Sequence, residues 1–242
     1  MQRLRTIRSD LWKRVELALQ ILAEGVALRV EVEYRMGIHG GASKRLFDTL
    51  LAQGFIEQRL IPMNRFTYGV VYLTAVGNDF ARQEFGIAVK PSEWDILAAH
   101  HNAEVHRQHA FAVLLFAFQA RRRGWKVQVC PKVDSPLVEP DVLVEKDGER
   151  VYVEVEVLRN PRKRRDGADN TWVRKWYNQY HFQGRVAVCT LTPKRMQGIV
   201  RYLKPRWRGM ATELTTLAKN PYSDLWLERW EWPNEASRQR FV

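Results

Sequence analysis

Cysteine is nearly missing from this 242-residue chain: only Cys130 and Cys189 occur, and both lie in strand-like runs. Two such residues argue against a disulfide framework and against a zinc site. Long apolar runs are absent too. No stretch approaches the roughly 20 residues of a membrane span, and the opening MQRLRTIRSDLWKRVELALQ scatters charge through its apolar residues, so it lacks the core of a signal peptide. No helix sorts Lys/Arg and Trp/Leu onto opposite faces as a membrane-surface helix requires. The expectation is a soluble, cytoplasmic protein with no membrane partner. The last scarcity is local. Residues 159 to 208 hold 14 Lys or Arg against only Asp166 and Asp169.

That segment concentrates a charge excess that is uneven along the whole chain. The net charge is +12, yet residues 1 to 95 carry 13 basic and 11 acidic side chains, leaving 26 basic and 16 acidic for residues 96 to 242. Such a field attracts polyanions, nucleic acid being the usual one. At 45% hydrophobic and 27% charged, the chain has enough apolar material for one large domain or two modest ones.

The first part reads as residues 1–92. Leu11, Val15, Leu19 and Leu22 recur at helical spacing behind Ser9 or Asp10 as N-cap. A second helical segment follows around 27–36. After GIHGGAS, Ser43 can cap a third helix, KRLFDTLLAQ, which Gly54 ends. FIEQRLIPMNRFTYGVVYLT then gives two strand-like runs joined at PMN, and TAVGNDFARQEFG returns to a helix. Three helices, a two-stranded wing and a closing helix make a winged helix-turn-helix, whose third helix enters the major groove. Its DNA-binding candidates are Ser43, Lys44 and Arg45, with Arg59 and Arg65 near the wing. Winged helices also serve as protein-interaction modules.

In the second part, residues 93–242, the stretch EPDVLVEKDGERVYVEVEV carries the chemistry. Asp147-Gly148 between valine-rich runs is a strong two-residue hairpin signal, since a type I′ turn needs positive φ at both positions. It pairs Lys146 with Glu149, sets Asp141 across from Glu154 and Glu139 across from Glu156, and keeps the four acids on one face. Val142, Val144, Val151, Val153, Val155 and Val157 line the other. Opposed like charges cost about 0.2 to 1 kcal/mol per pair, which a hard divalent cation held by carboxylate oxygens would offset. The alternative is the wet face of an amphipathic strand. Residues 96 to 123 read as one long helix, on which Glu104 continues a buried stripe toward the hairpin. The cluster His100, His101, His106 and His109 has no zinc-binding spacing and reads as polar helix surface.

The order helix, three strands, helix, strand, with acids on the second and third strands, resembles the PD-(D/E)xK nuclease superfamily. That resemblance implies an α/β (α+β) fold, a restriction-endonuclease-like αβββαβ domain. It also implies that Asp141 in EPD and Glu154 in EVE hold Mg²⁺ or Mn²⁺, with Glu104 as a further ligand candidate. Where the superfamily has Lys, this chain has Glu156, able to complete the metal shell or act as general base. Lys175 on the following helix is the candidate for the missing positive charge, or else a solvated helix position. More specifically, the chain resembles the replication-relaxation family of plasmids and mobile elements, through LTAVGNDFARQEFG, EPD, VEVEV, KWYNQY and NPYSDLWLERW.

The implied function is a metal-dependent endodeoxyribonuclease or nickase targeted by its winged helix. The alternative is a non-catalytic DNA-binding regulator of replication or transcription that keeps the nuclease fold as a platform. Arg162, Lys163, Arg164 and Arg165 are expected to track phosphates. Trp172 and Trp176, four apart, either stack on bases or pack into a core. A homodimer and a mobile-element protein complex are the assemblies left open.

Overall fold

The computed structural model describes residues 9–63, 66–101, 106–157 and 171–231. It divides into two compact units, Met1–Ala110 and Phe111–Val242, and the division falls eighteen residues beyond the expected 92/93 boundary.

The first unit runs α1 (Ser9–Ala23), α2 (Arg29–Met36), α3 (Gly40–Ala52), β1 (Ile56–Met63), β2 (Phe66–Leu73), α4 (Ala75–Phe85) and α5 (Glu93–His101). Three helices, an antiparallel pair and a helix is the expected order. Val15, Leu19 and Leu22 of α1 pack with Leu46, Phe47 and Leu50 of α3 and with Phe55 and Val71, so the helical spacing read from the sequence is the core stripe. Thr74 caps α4 by accepting the Gly77 N–H at 3.0 Å. Gly77 is required there: a Cβ would lie 2.0 Å from the Phe55 carbonyl oxygen. β1 does not break at Pro62. It pairs with β2 from Ile56↔Leu73 to Met63↔Phe66, and a two-stranded ribbon tolerates the missing N–H on its outer edge.

Helix α3 starts three residues before the expected cap. His39 stands in the extended N-cap position and Ser43 lies inside the helix, 2% exposed. Its hydroxyl accepts from Arg29 at 3.1 Å and donates to Glu33. Arg29 in turn pairs with Glu33 at 2.8 Å and lies 4.4 Å above the Phe47 ring. The triad fastens α2 to α3.

The second unit is built on α6 (Arg107–Arg122), β3 (Lys126–Val129), β4 (Val142–Lys146), β5 (Glu149–Glu156), α7 (Thr171–Gln183), β6 (Val186–Thr190), α8 (Pro193–Leu203), β7 (Gly209–Glu213), α9 (Leu214–Lys219) and β8 (Glu228–Trp230). The helix expected over 96–123 is two helices, α5 and α6, and the residues joining them at 102–105 lie outside the described ones. One six-stranded sheet has the order β3-β4-β5-β6-β7-β8. Strands β3 to β5 are antiparallel, β5-β6 and β6-β7 are parallel, and β8 closes the edge antiparallel. The expected αβββαβ order is present, extended by α8, β7, α9 and β8.

Asp147 (φ 50°) and Gly148 (φ 81°) both take the left-handed conformation, and the register runs from Lys146↔Glu149 to Val142↔Val153 as the turn dictates. Val142, Val144, Val151, Val153 and Val155 are at most 1% exposed. The acid-bearing face is buried as well. On that side Trp176, Met196, Ile199, Val200 and Leu203 of α7 and α8 pack on Val186, Val188, Ala211 and Trp230. A parallel sheet segment is covered on both faces, so the wet-face alternative does not hold for Glu154 and Glu156. Glu139 stays exposed, outside the strand.

Candidate active site

Three carboxylates come together at one end of the sheet. Asp141 is fully buried just before β4, Glu154 is 1% exposed on β5, and Glu156 is 6% exposed at its last position. Cys130 donates its N–H to the Asp141 carbonyl at 2.9 Å, one further rung of the β3-β4 ladder. There it takes φ 44°, which turns the chain away from the sheet. The Asp141 side chain is oriented from the neighbouring strand: its Oδ2 accepts the Val155 N–H at 2.7 Å.

Lys175 enters from α7. Its ammonium pairs with Glu154 Oε2 and lies 3.9 Å from Asp141 Oδ2. Two glutamines aim it there. Gln179, fully buried, donates to the carbonyls of Tyr152 (2.9 Å) and Ala187 (3.3 Å) and accepts the Ala187 N–H at 3.1 Å. Gln183 donates to the Tyr152 carbonyl at 2.7 Å and accepts its N–H at 2.9 Å. Lys175, Gln179 and Gln183 follow at i, i+4 and i+8, so one helix stripe is tied across β5 and β6 and its first member reaches the acids. The glutamines escaped the sequence reading, although that spacing with Lys175 was a usable signal.

Electrostatics follow from the imbalance. Burial pushes the Glu154 carboxyl well above its ordinary 4.5, and Asp141 and Glu156 push the same way against the pull of Lys175. Burial works against the Lys175 ammonium, but Asp141, Glu154 and Glu156 together outweigh it and hold the group charged above its ordinary range. The surroundings therefore favour the protonated form of Glu154 and the charged form of Lys175. Arg195, in the first turn of α8, is lowered by burial and pulled back up by the charge of Glu156.

The remaining sequence candidates fall in different places. Lys44 and Arg45 are exposed on α3, Lys44 pairing with Asp48 one turn on. Ser43 is a correction: it is buried in the α2-α3 triad and presents nothing to a groove. Arg59 is exposed on β1, donating to the Tyr72 hydroxyl at 2.9 Å, which donates to Glu57 at 2.8 Å. Glu104, Arg65, Arg162, Lys163, Arg164 and Arg165 lie outside the described residues. Trp176 is 5% exposed in the core, the packing alternative. Both cysteines are buried thiols outside any disulfide. Among the described residues no group of three or more His, Cys, Asp or Glu is assembled for a metal ion, and no helix is long and apolar enough to cross a membrane.

No family model matches the sequence, and no curated protein matches it. Among solved structures the chain is similar to a mutant of Lactococcus lactis ZitR in apo form, at 18% identity and a TM-score of 0.27. The match covers 41% of this chain and 64% of that one, so the chain spans a little under two thirds of that protein's length.

Proposed function

We propose that this chain is a DNA-binding protein whose second unit cleaves phosphodiester bonds with a divalent cation, as an endodeoxyribonuclease or nickase. The observation that carries this reading is the buried meeting of Asp141, Glu154 and Glu156 beside the Lys175 ammonium. Three carboxylates crowded in the interior repel one another, and a divalent cation held by their oxygens would offset that repulsion. The donors are all carboxylate oxygens, which suits Mg²⁺ or Mn²⁺ and not a thiolate-seeking metal.

Asp141 and Glu154 would hold the ion, with Glu104 as a further candidate. A divalent cation there supplies polarisation of a phosphate and a lowered pKa for bound water. The chain's own residues do the rest. The Val155 N–H fixes one Asp141 oxygen, Glu156 would take a proton from water, and Lys175 would present positive charge to a phosphate. Lys44 and Arg45 on α3, with Arg59 and Arg65 at the wing, bring the DNA, while Arg162, Lys163, Arg164 and Arg165 track its backbone. Resemblance to the replication-relaxation family extends the reading to plasmid or mobile-element DNA.

A specific observation favours the second reading, a non-catalytic DNA-binding regulator of replication or transcription. Lys175 already sits on Glu154 and competes for the oxygens a metal needs. Nicking of supercoiled plasmid in Mn²⁺ and in chelator, for wild type and Asp141→Asn, separates the two. The nuclease nicks only with the ion and only as wild type, while both proteins bind DNA. Binding without nicking at any Mn²⁺ concentration leaves the regulator, and absence of binding rejects both.

A further inference from the structure

The second unit leaves two large side chains in water on the segments that lead to the acid cluster. Leu137 is 70% exposed and Tyr177 is 50% exposed. They sit on the two segments that deliver the site. Leu137 lies four residues before Asp141, and Tyr177 lies two residues beyond Lys175. Asn178 joins these segments, donating its side-chain N–H to the Leu137 carbonyl at 3.0 Å. At about 100° per residue, Asn178 lies about 60° round α7 from Lys175, with Arg174 and Tyr177 about 40° and 100° further. Arg174 is exposed and makes no ion pair among the described residues. Tyr177 rests its ring on His181, centroids 4.2 Å apart. The whole helix, TWVRKWYNQYHFQ, contains no carboxylate.

We infer that this outer stripe of α7 takes an unpaired nucleotide, so that the DNA at the acid cluster is single-stranded or locally melted; this rests on the DNA-binding reading above. A strand leaving the acids rounds α7 past Asn178, where Arg174 meets a phosphate and Tyr177 stacks on a base, with Leu137 against its edge. Only a base out of the duplex stack offers a face to an aromatic side chain, and such stacking is indifferent to sequence. The cation without a carboxylate on its own helix favours a polyanion over an apolar peptide. Tyr222, 97% exposed, does not compete for this role. Of the three cations lining its cleft, Arg123 and Lys146 are spent on backbone carbonyls and Arg122 lies 5.6 Å from the centre of the Phe118 ring.

The test is binding of a single-stranded oligonucleotide carrying 2-aminopurine, against a matched duplex, in chelator so that cleavage plays no part. Wild type is expected to quench the probe on binding. Tyr177→Leu is expected to lose the quenching and weaken single-strand binding by about 5- to 150-fold while leaving duplex binding alone. Tyr177→Phe keeps both, and Arg174→Gln flattens the salt slope by about one unit. Equal single-strand binding by wild type and Tyr177→Leu, or equal losses on single strand and duplex, overturns the inference. Duplex binding without any quenching by wild type overturns the inference alone. A wild type that binds neither DNA removes the DNA-binding reading with it.

Discussion

The first unit ties α2 to α3 with Arg29, Glu33 and Ser43, one cation, one anion and one hydroxyl, each satisfied by the others. The second unit gathers Asp141, Glu154 and Glu156 around Lys175, with the charge of Arg195 also felt by Glu156, and the acids are at most 6% exposed. Both clusters join a helix to its neighbour, yet the first holds one acid with one base whereas the second crowds three buried acids into one place. A balanced polar cluster is explained by the fold it holds together. A crowd of buried acids instead carries like-charge repulsion, which costs free energy in a low-dielectric interior and shifts the protonation of its members.

The largest effect that could break this contrast is a metal-dependent one. Mn²⁺ at a hundredfold excess over its Kd is expected to stabilise wild type by roughly 2.7 kcal/mol, with no gain for Asp141→Asn. Ser43→Ala should keep the full gain. Melting curves in chelator and in Mn²⁺ measure this, and a wild type indifferent to the ion would reduce the acid cluster to another structural contact.

Removing Lys175 comes next. Breaking a buried ion pair costs about 3 to 5 kcal/mol, but the Lys175 side chain is 39% exposed and Glu154 can take a proton instead. Lys175→Met is therefore expected to lose about 1 to 2 kcal/mol in chelator. Mn²⁺ should restore much of it. Denaturant titration with and without the ion reads both, and a loss that the metal does not repair argues that Lys175 merely packs.

The clusters should also part company in pH. With the Glu154 carboxyl raised above 4.5, the native state holds a proton that the unfolded chain has released. Its stabilising contribution is full below that value and is lost as pH rises from 4.5 toward the raised folded value, at up to about 1.4 kcal/mol per pH unit. Glu154→Gln should flatten that part of the stability profile. If the slope persists in the variant, the proton sits elsewhere.

The smallest effect belongs to the balanced cluster. Ser43→Ala is expected to cost about 1 kcal/mol at every pH and metal concentration. DNA sequence preference should stay as in wild type, because the hydroxyl is turned toward Glu33 and Arg29. An altered preference in a randomised-site selection would put Ser43 back among the base-reading residues.

Much of the second unit was legible in short range. Asp147-Gly148 specified the turn, the turn specified the register, and the register brought Asp141 and Glu154 to neighbouring strand ends, since each step depends only on local dihedral preference and a period of two. In the first unit the leucine spacing of α1 did the same, as did Gly86, which ends α4 in the left-handed conformation. Other features needed the packed molecule. Ser43 looked like a cap because nothing local says that α3 begins at His39-Gly40, where the contacts of Arg29 and Phe47 decide it. Strands β7 and β8 are short and take their conformation from the sheet edges they extend. Above all, Lys175 is one basic residue in a basic segment until Gln179 and Gln183 fasten α7 across β5 and β6. The sequence determines which residues can alternate, turn and cap, because those are one-chain properties of a few neighbours. Which acid faces are buried, and which lysine meets them, depends on elements tens of residues apart sharing one core.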